Sequence, residues 1–284
     1  FVSTLPWSPL SFAMAISVSV VPGTSWAQAM VPGLVSSALL AGIGWGLDSA
    51  FKPRLSVPPR RQEPEGTWAL MLPLLALLGV LVVSVLGLSA IVDVRIVGLV
   101  VVIVPVIALV WMVIQHWTQA PLRSVARRTR DYVLSELPGY RGELTLLMMA
   151  GYIGTVGSAL LTPLMQRAGF DLSALPSWVI LVSFVWLIPL AGQVGMNPIL
   201  AVTLIAPLIP GAESLGVAPA AVVVALTAGW ALSGASSPFT ATTLLIGSFG
   251  GISALRVGWV WNGAYTLVCG VALSIWILIY GFVL

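Results

Sequence analysis

Residues 219–250 read PAAVVVALTAGWALSGASSPFTATTLLIGSFG. No charged side chain occurs among them, and at 1.5 Å of rise per residue such a run, wound as a helix, is long enough to cross about 30 Å of hydrocarbon. It is not uniform. Ser233-Gly234-Ala235-Ser236-Ser237-Pro238 interrupts it, and a proline inside a helix removes a backbone donor and clashes with the carbonyl one turn earlier. The clustered hydroxyls offer the freed backbone groups local partners. A discontinuous helix is predicted here, broken inside an apolar segment.

The rest of the chain supplies the solvent for that helix. Of 284 residues 59% are hydrophobic and 7% charged, with a mean hydropathy of +1.07, which is more apolar surface than one water-soluble core can bury. In lipid every backbone polar group must be satisfied internally, so only helices or a closed barrel can span. Runs such as Leu70 to Leu88 lack the alternating polar residues of a barrel strand. The fold class predicted is therefore an all-α polytopic membrane protein. The formal charge of +3 is no nucleic-acid signal, because the basic residues lie in loops between spans. A single cysteine, Cys269, excludes an intrachain disulfide and a cysteine-built metal site. Phe1 is not an initiator methionine and no signal peptide precedes it, so a fragment or processed product is expected.

Residues 9–21 are too short to cross and end at Pro22-Gly23, which predicts a half-helix. A span follows from about Ala27 to Leu47, then a polar linker at 48–66 with Lys52, Arg54, Arg60 and Arg61. Spans are predicted at about 68–88, 96–114 and 143–164. Between the last two lies a basic loop with Arg123, Arg127, Arg128, Arg130 and Arg141, whose middle suits a surface helix. Residues 177–209 are apolar but broken by Gly192-Gln193-Val194-Gly195-Met196-Asn197-Pro198, which predicts a re-entrant hairpin. The broken helix at 219–250 comes next, and a last span occupies 257–284. With the linker inside and the hairpin re-entrant, four, five and one basic residues fall on the cytoplasmic side, and only Arg95 and Arg167 outside.

An internal repeat supports the same arrangement. Trp7-Ser8-Pro9-Leu10-Ser11 aligns with Ser236-Ser237-Pro238-Phe239-Thr240, and the same register pairs Thr4 with Ser233 and Ser19 with Ser248. Each break precedes a half-helix, a Gly-containing loop and a span. An odd number of crossings separates the copies, so they are expected to be inverted, with 1–47 ending a first repeat, 48–66 a cytoplasmic linker, and 67–284 forming the second.

In this order of elements the chain resembles the ion transporter superfamily: divalent anion/sodium symporters, citrate and C4-dicarboxylate carriers, and the large membrane subunits of TRAP transporters. The resemblance rests on Asn197 at the hairpin tip and on Ser237-Pro238 and Ser8-Pro9 at the breaks. The tip Gly195-Met196-Asn197-Pro198 departs from the Ser-Asn-Thr frequent in that family, and Ser-Pro stands where it has Thr-Pro. The resemblance implies a secondary carrier in a bacterial cytoplasmic membrane, with Na⁺-coupled uptake of a small di- or tricarboxylate. It further implies a hairpin of the first repeat upstream of residue 1. As partners it implies a homodimeric second copy, besides the lipid bilayer, and in the TRAP-like alternative a binding protein or small membrane subunit.

The residue types fit that chemistry. Freed carbonyls, the hydroxyls of Ser233, Ser236, Ser237 and Thr240, and the Asn197 amide are neutral oxygen ligands suited to Na⁺. Half-helix N-termini near Pro9 and Pro238 suit a carboxylate. Ser8, Ser11, Gly195 and Pro198 complete the expected site. No acidic residue lies in the middle of a span, which favours Na⁺ over H⁺. Other roles compete. Membrane hydroxyls commonly bond back to their own helical turn, and Asn197 beside Pro198 can simply cap a helix. Gly151, Gly154, Gly157 and Ser158 suit close helix packing, His116 an interface, and the arginines 123–130 a topology signal or anionic lipid contact. No His, Cys or acidic cluster stands at a membrane face to do acid, base or metal chemistry, so no enzyme and no cofactor beyond the coupling ion is expected.

Overall fold

The computed structural model describes residues 2–51, 69, 71–92, 96–115, 121–169 and 174–284. Expectations for the linker beyond Phe51, the Asp93–Arg95 turn, His116 and the start of the 68–88 span fall outside these. The described residues are helical with no strand. Five helical segments among them are long and apolar enough to cross a membrane: Trp26–Phe51, Leu72–Ser89, Gly98–Gln115, the interrupted Pro219–Gly250, and Gly263–Phe282. The chain is an integral membrane protein.

It divides into two compact units, Phe1–Lys52 with Thr145–Leu284, and Pro53–Leu144. This division follows packing and is independent of the repeat boundary expected at 48–66. The smaller unit holds α3 (Leu72–Ile91), α4 (Ile96–Gln115) and α5 (Pro121–Asp131). Val85 of α3 packs with Leu99 and Ile103 of α4, flanked by half-buried Leu81, Val100 and Ile107, in an antiparallel pair most of whose other apolar surface is exposed. A π-helical turn, Tyr132–Glu136, and a 3-10 turn, Leu137–Tyr140, lead from α5 into α6 (Arg141–Arg167).

In the larger unit the 3-10 turn Val2–Thr4 precedes α1 (Phe12–Val20) and α2 (Trp26–Phe51). Beyond α6 follow α7 (Ser177–Gln193), α8 (Pro198–Ile205), α9 (Pro219–Ser236), α10 (Ala241–Gly250) and α11 (Gly263–Phe282). The centre is α9, buried at every residue from Ala220 to Ser236. Small residues make this burial close. A side chain at Gly229 would collide with the Phe184 carbonyl of α7, and one at Gly192 would meet Ser233 and Ser237. Phe184 to Gly229 and Gly192 to Ser237 are both steps of 45 residues (229 − 184 and 237 − 192). Hence α7 and α9 run parallel. In contrast, α11 runs antiparallel to α9: Asn262 donates to the Ala235 carbonyl at 2.8 Å, while Gly281 lies by Ala221. It is also antiparallel to α2, since the Tyr265 hydroxyl donates to the Leu40 carbonyl and the Trp276 indole to that of Pro32, each at 3.2 Å. The first segment runs opposite to α9 too, with Val2 and Leu5 beside Gly234 and Gly23 beside Pro219.

Several expected boundaries shift for local reasons. The half-helix at 9–21 starts at Phe12, because Ser11 is its N-cap, accepting from Met14 N at 3.1 Å. Val21 ends it, ahead of Gly23 at φ 78°. The 257–284 span opens as a π-helical turn, Arg256–Trp261, and becomes α-helical only after Asn262. The 143–164 span lengthens to α6. Of its small residues, Gly154 lies against Thr203 and Gly157 against Leu204, while Gly151 has open space.

Candidate functional site

Two helices break at one level. Gln193 ends α7, Val194-Gly195 turn, and α8 begins at Pro198 after its cap Asn197, while α9 ends at Ser236 and α10 begins at Ala241. Because α7 and α9 are parallel and in step, the two breaks adjoin. Ser237 closes them together: its hydroxyl donates to the Gly192 carbonyl at 2.6 Å and accepts from Phe239 N at 3.2 Å. Ser237 is 1% exposed, so this bond is made away from water. Gly195, at φ 87°, turns the chain between α7 and α8 beside the ring of Phe239.

The carbonyls freed by the second break have partners. Thr240 Oγ1 lies 3.2 Å from the Gly234 carbonyl and 3.0 Å from that of Ser237. Thr243 Oγ1 lies 2.6 Å from the Ser237 carbonyl and 3.2 Å from Thr240 Oγ1. Each hydroxyl carries one proton, so these contacts are alternatives and the cluster can exchange donors without moving its backbone. Ser236 Oγ donates back to Leu232 O at 2.8 Å, as membrane hydroxyls commonly do.

Asn197 is placed as a cap. Its side-chain oxygen accepts from Ile199 N at 2.9 Å, with buried Pro198 at the first helical position of α8. In the first break Ser11 caps α1 and donates within reach of the Leu5 and Ser8 carbonyls, each at 3.0 Å, while Ser8 Oγ accepts from Leu10 N and Pro9 is buried. This break adjoins the second through Val2 and Leu5 at Gly234. Pro9 and Pro238 stand in the turns ahead of their half-helices rather than at the N-termini, because Ser11 and Thr240 take the N-cap positions. The two breaks then differ. Thr240 points its hydroxyl at carbonyls and makes no side-chain cap, so α10 begins uncapped.

Ser233 stands apart from the other hydroxyls. It is 0% exposed, its Oγ has no partner, and it lies 2.5 Å from where a Cβ on Gly192 would be. A buried hydroxyl without a hydrogen bond is uncommon and asks for a reason. Its equivalent in the repeat register, Thr4, is exposed.

The sequence reading missed a second group at this level. Gln193 donates to the Pro189 carbonyl at 3.1 Å and to Ser236 Oγ at 3.2 Å, and accepts from the Trp259 indole at 2.8 Å. With Asn262 on the Ala235 carbonyl, it ties the π-helical turn to both breaks. A cavity of about 530 Å³ lies here, bordered by Trp186, Leu190, Gln193, Ser236, Trp259 and Leu267, and it is mostly apolar. Of the expected site residues only Ser236 lines it. Gln193 and Asn262 as polar residues in apolar surroundings were the available signal. No group of three or more His, Cys, Asp or Glu side chains suited to a metal occurs among the described residues. Comparison with protein-family models, curated proteins and solved structures gave no match.

Proposed function

We propose that the chain is a secondary transporter of the ion transporter superfamily type, coupling Na⁺ to the uptake of a small di- or tricarboxylate. One observation carries this reading: α7 and α9 are parallel and break at the same level, clasped by Ser237 on the Gly192 carbonyl. A hairpin that enters and returns on one side, followed by a helix that enters again, makes the two inward limbs parallel in this way. On this reading both breaks lie near the bilayer midplane, where irregular backbone is tolerated only around a cavity or a bound species. The antiparallel pairing of α2 with α11 fits an inverted repeat, since these helices are equivalent in the repeat register. The half-helices α1 and α10 both rest on α9 rather than extensively on each other.

The site divides by charge. Ser233 Oγ, with the Ser237 and Thr240 hydroxyls and the carbonyls they serve, is a set of neutral oxygens that can turn from one another toward Na⁺. The uncapped start of α10 leaves N–H groups and a partial positive charge for a carboxylate. Asn197 acts by holding the start of α8.

The test is transport by the purified chain in liposomes, with radiolabelled succinate and citrate as probes and an inward Na⁺ or choline gradient. Uptake driven by Na⁺ and reduced in Ser237→Ala and Ser233→Ala is expected. Uptake indifferent to Na⁺ in the unaltered chain sinks the coupling. Uptake that requires an added soluble binding protein moves the reading to the TRAP-like alternative.

A further inference from the structure

The arginines between α4 and α6 have an arrangement that a topology signal does not require. Charge bias during insertion counts basic residues in a loop whatever direction they face. Here they are sorted by face. Helix α5 carries Arg123, Arg127, Arg128 and Arg130, and the spacing i, i+4, i+7 places Arg123, Arg127 and Arg130 along one stripe. All three are exposed. No carboxylate among the described residues pairs with any of them; Arg128, on another side of the helix, pairs instead with Glu136 of the following turn. Val125 and Thr129, one turn apart on the opposite side, are half-buried, and α5 packs against α4. The helix is thus held by one face and presents three guanidinium groups on the other.

Its place in the chain says what meets that face. Helix α4, apolar enough to span, ends six positions before α5 begins, and a short π-helical and 3-10 passage leads from α5 to α6. A helix that follows such a spanning segment closely and packs against it lies at the membrane–water boundary, within reach of headgroups. Guanidinium groups bind phosphate oxygens with paired, charge-assisted hydrogen bonds.

We infer that the Arg123–Arg127–Arg130 stripe of α5 is a binding site for the phosphate headgroups of anionic phospholipids. Asp131 at the end of α5 limits the net charge, but with four arginines the helix stays cationic. The site is separate from the helix breaks and does not depend on the transport reading.

Native mass spectrometry of the full chain in detergent, titrated with dioleoylphosphatidylglycerol or dioleoylphosphatidylcholine, tests it free of any effect on insertion. The unaltered chain should retain the anionic lipid in preference. The R123Q/R127Q/R130Q variant should lose anionic-lipid affinity by about five-fold per charge, on the order of a hundredfold in all, with phosphatidylcholine unchanged. The matching triple lysine variant should keep most of the preference, and R256Q all of it. Raised salt should weaken it. Should the triple variant not fold, R127Q must lose about five-fold and R127K recover it. An unchanged lipid preference in the glutamine variants, or an equal loss for both lipids, overturns the site. Displacement of the lipid by millimolar inorganic phosphate would assign the stripe to a free anion instead and overturn it as well.

Discussion

Gly192→Ala tests the contact on which the proposed site depends. The added methyl would stand 2.5 Å from Ser233 Oγ, 3.1 Å from Ser237 Cβ and 3.5 Å from Ser237 Oγ. Ser233 can turn its hydroxyl aside. Ser237 cannot yield so easily, because its Cβ is fixed to the backbone of the break and its hydroxyl to the Gly192 carbonyl. Overpacking of this kind costs about 1–3 kcal/mol. Ser233→Ala removes the nearest atom and sacrifices no hydrogen bond, since that oxygen has none, so alone it should shift stability by less than about 1 kcal/mol, toward greater stability. The double variant should then be more stable than the sum of the single changes by about 1 kcal/mol or more, because the two residues touch. Equilibrium unfolding in dodecyl sulfate and mild-detergent mixed micelles, followed by tryptophan fluorescence, measures all three. Strict additivity, or a neutral Gly192→Ala, would refute the clasped parallel pair. Repeating the titration with added Na⁺ separates packing from function: a ligand bound only by the folded chain stabilises it, and Ser233→Ala should abolish that increment.

Ser237→Ala should destabilise by about 1 kcal/mol rather than several, because the Gly192 carbonyl keeps the Val194 and Gly195 amides as donors. Asn197→Ala should cost about 1 kcal/mol through its cap, with Asn197→Asp retaining most of the stability in the same titration. Gln193→Leu removes the acceptor for the Trp259 indole and the donor to Ser236; the Trp259 contribution to the emission spectrum should shift, whereas a spectrum identical to that of the unaltered chain would show that this link is not formed. Cysteines placed at Ser177 and Glu213 should be labelled by an impermeant reagent from one side of the membrane, and labelling from opposite sides would defeat the re-entrant hairpin.

The long apolar runs and their interruptions were legible because each depends on the chemistry of neighbouring residues. Hydropathy marked α2, α3 and α4, and proline with its flanking Gly, Ser or Asn marked the breaks at 194–197 and 237–240. The start of α1 was legible only to within a few residues, since Ser8 and Ser11 both have capping chemistry and packing decides between them. The register of α7 against α9 was not legible, although a re-entrant hairpin followed by an entering helix already implies that the two run parallel. It depends on Gly229 and Gly192 meeting particular atoms 45 positions away, and no local pattern encodes such a register. Gln193 stood within the expected break, yet its partner Trp259 lies 66 positions on. Thr240 and Ser11 align in the expected repeat but differ in behaviour, because the Gly234 and Ser237 carbonyls draw the Thr240 hydroxyl away from the cap.

Helix α9 has no side facing the bilayer, whereas 6% of the α3 window is buried. These two helices should therefore answer to different selective rules. On α3 a substitution is judged mainly by polarity, since lipid accepts almost any apolar shape. On α9 it is judged by volume: serine, threonine, alanine and glycine should interchange more freely there than leucine can replace any of them, although leucine is the more apolar. A saturation library scored for surface expression would rank α3 alleles along a hydrophobicity axis and α9 alleles along a size axis, so that the buried helix is recognisable from fitness data alone.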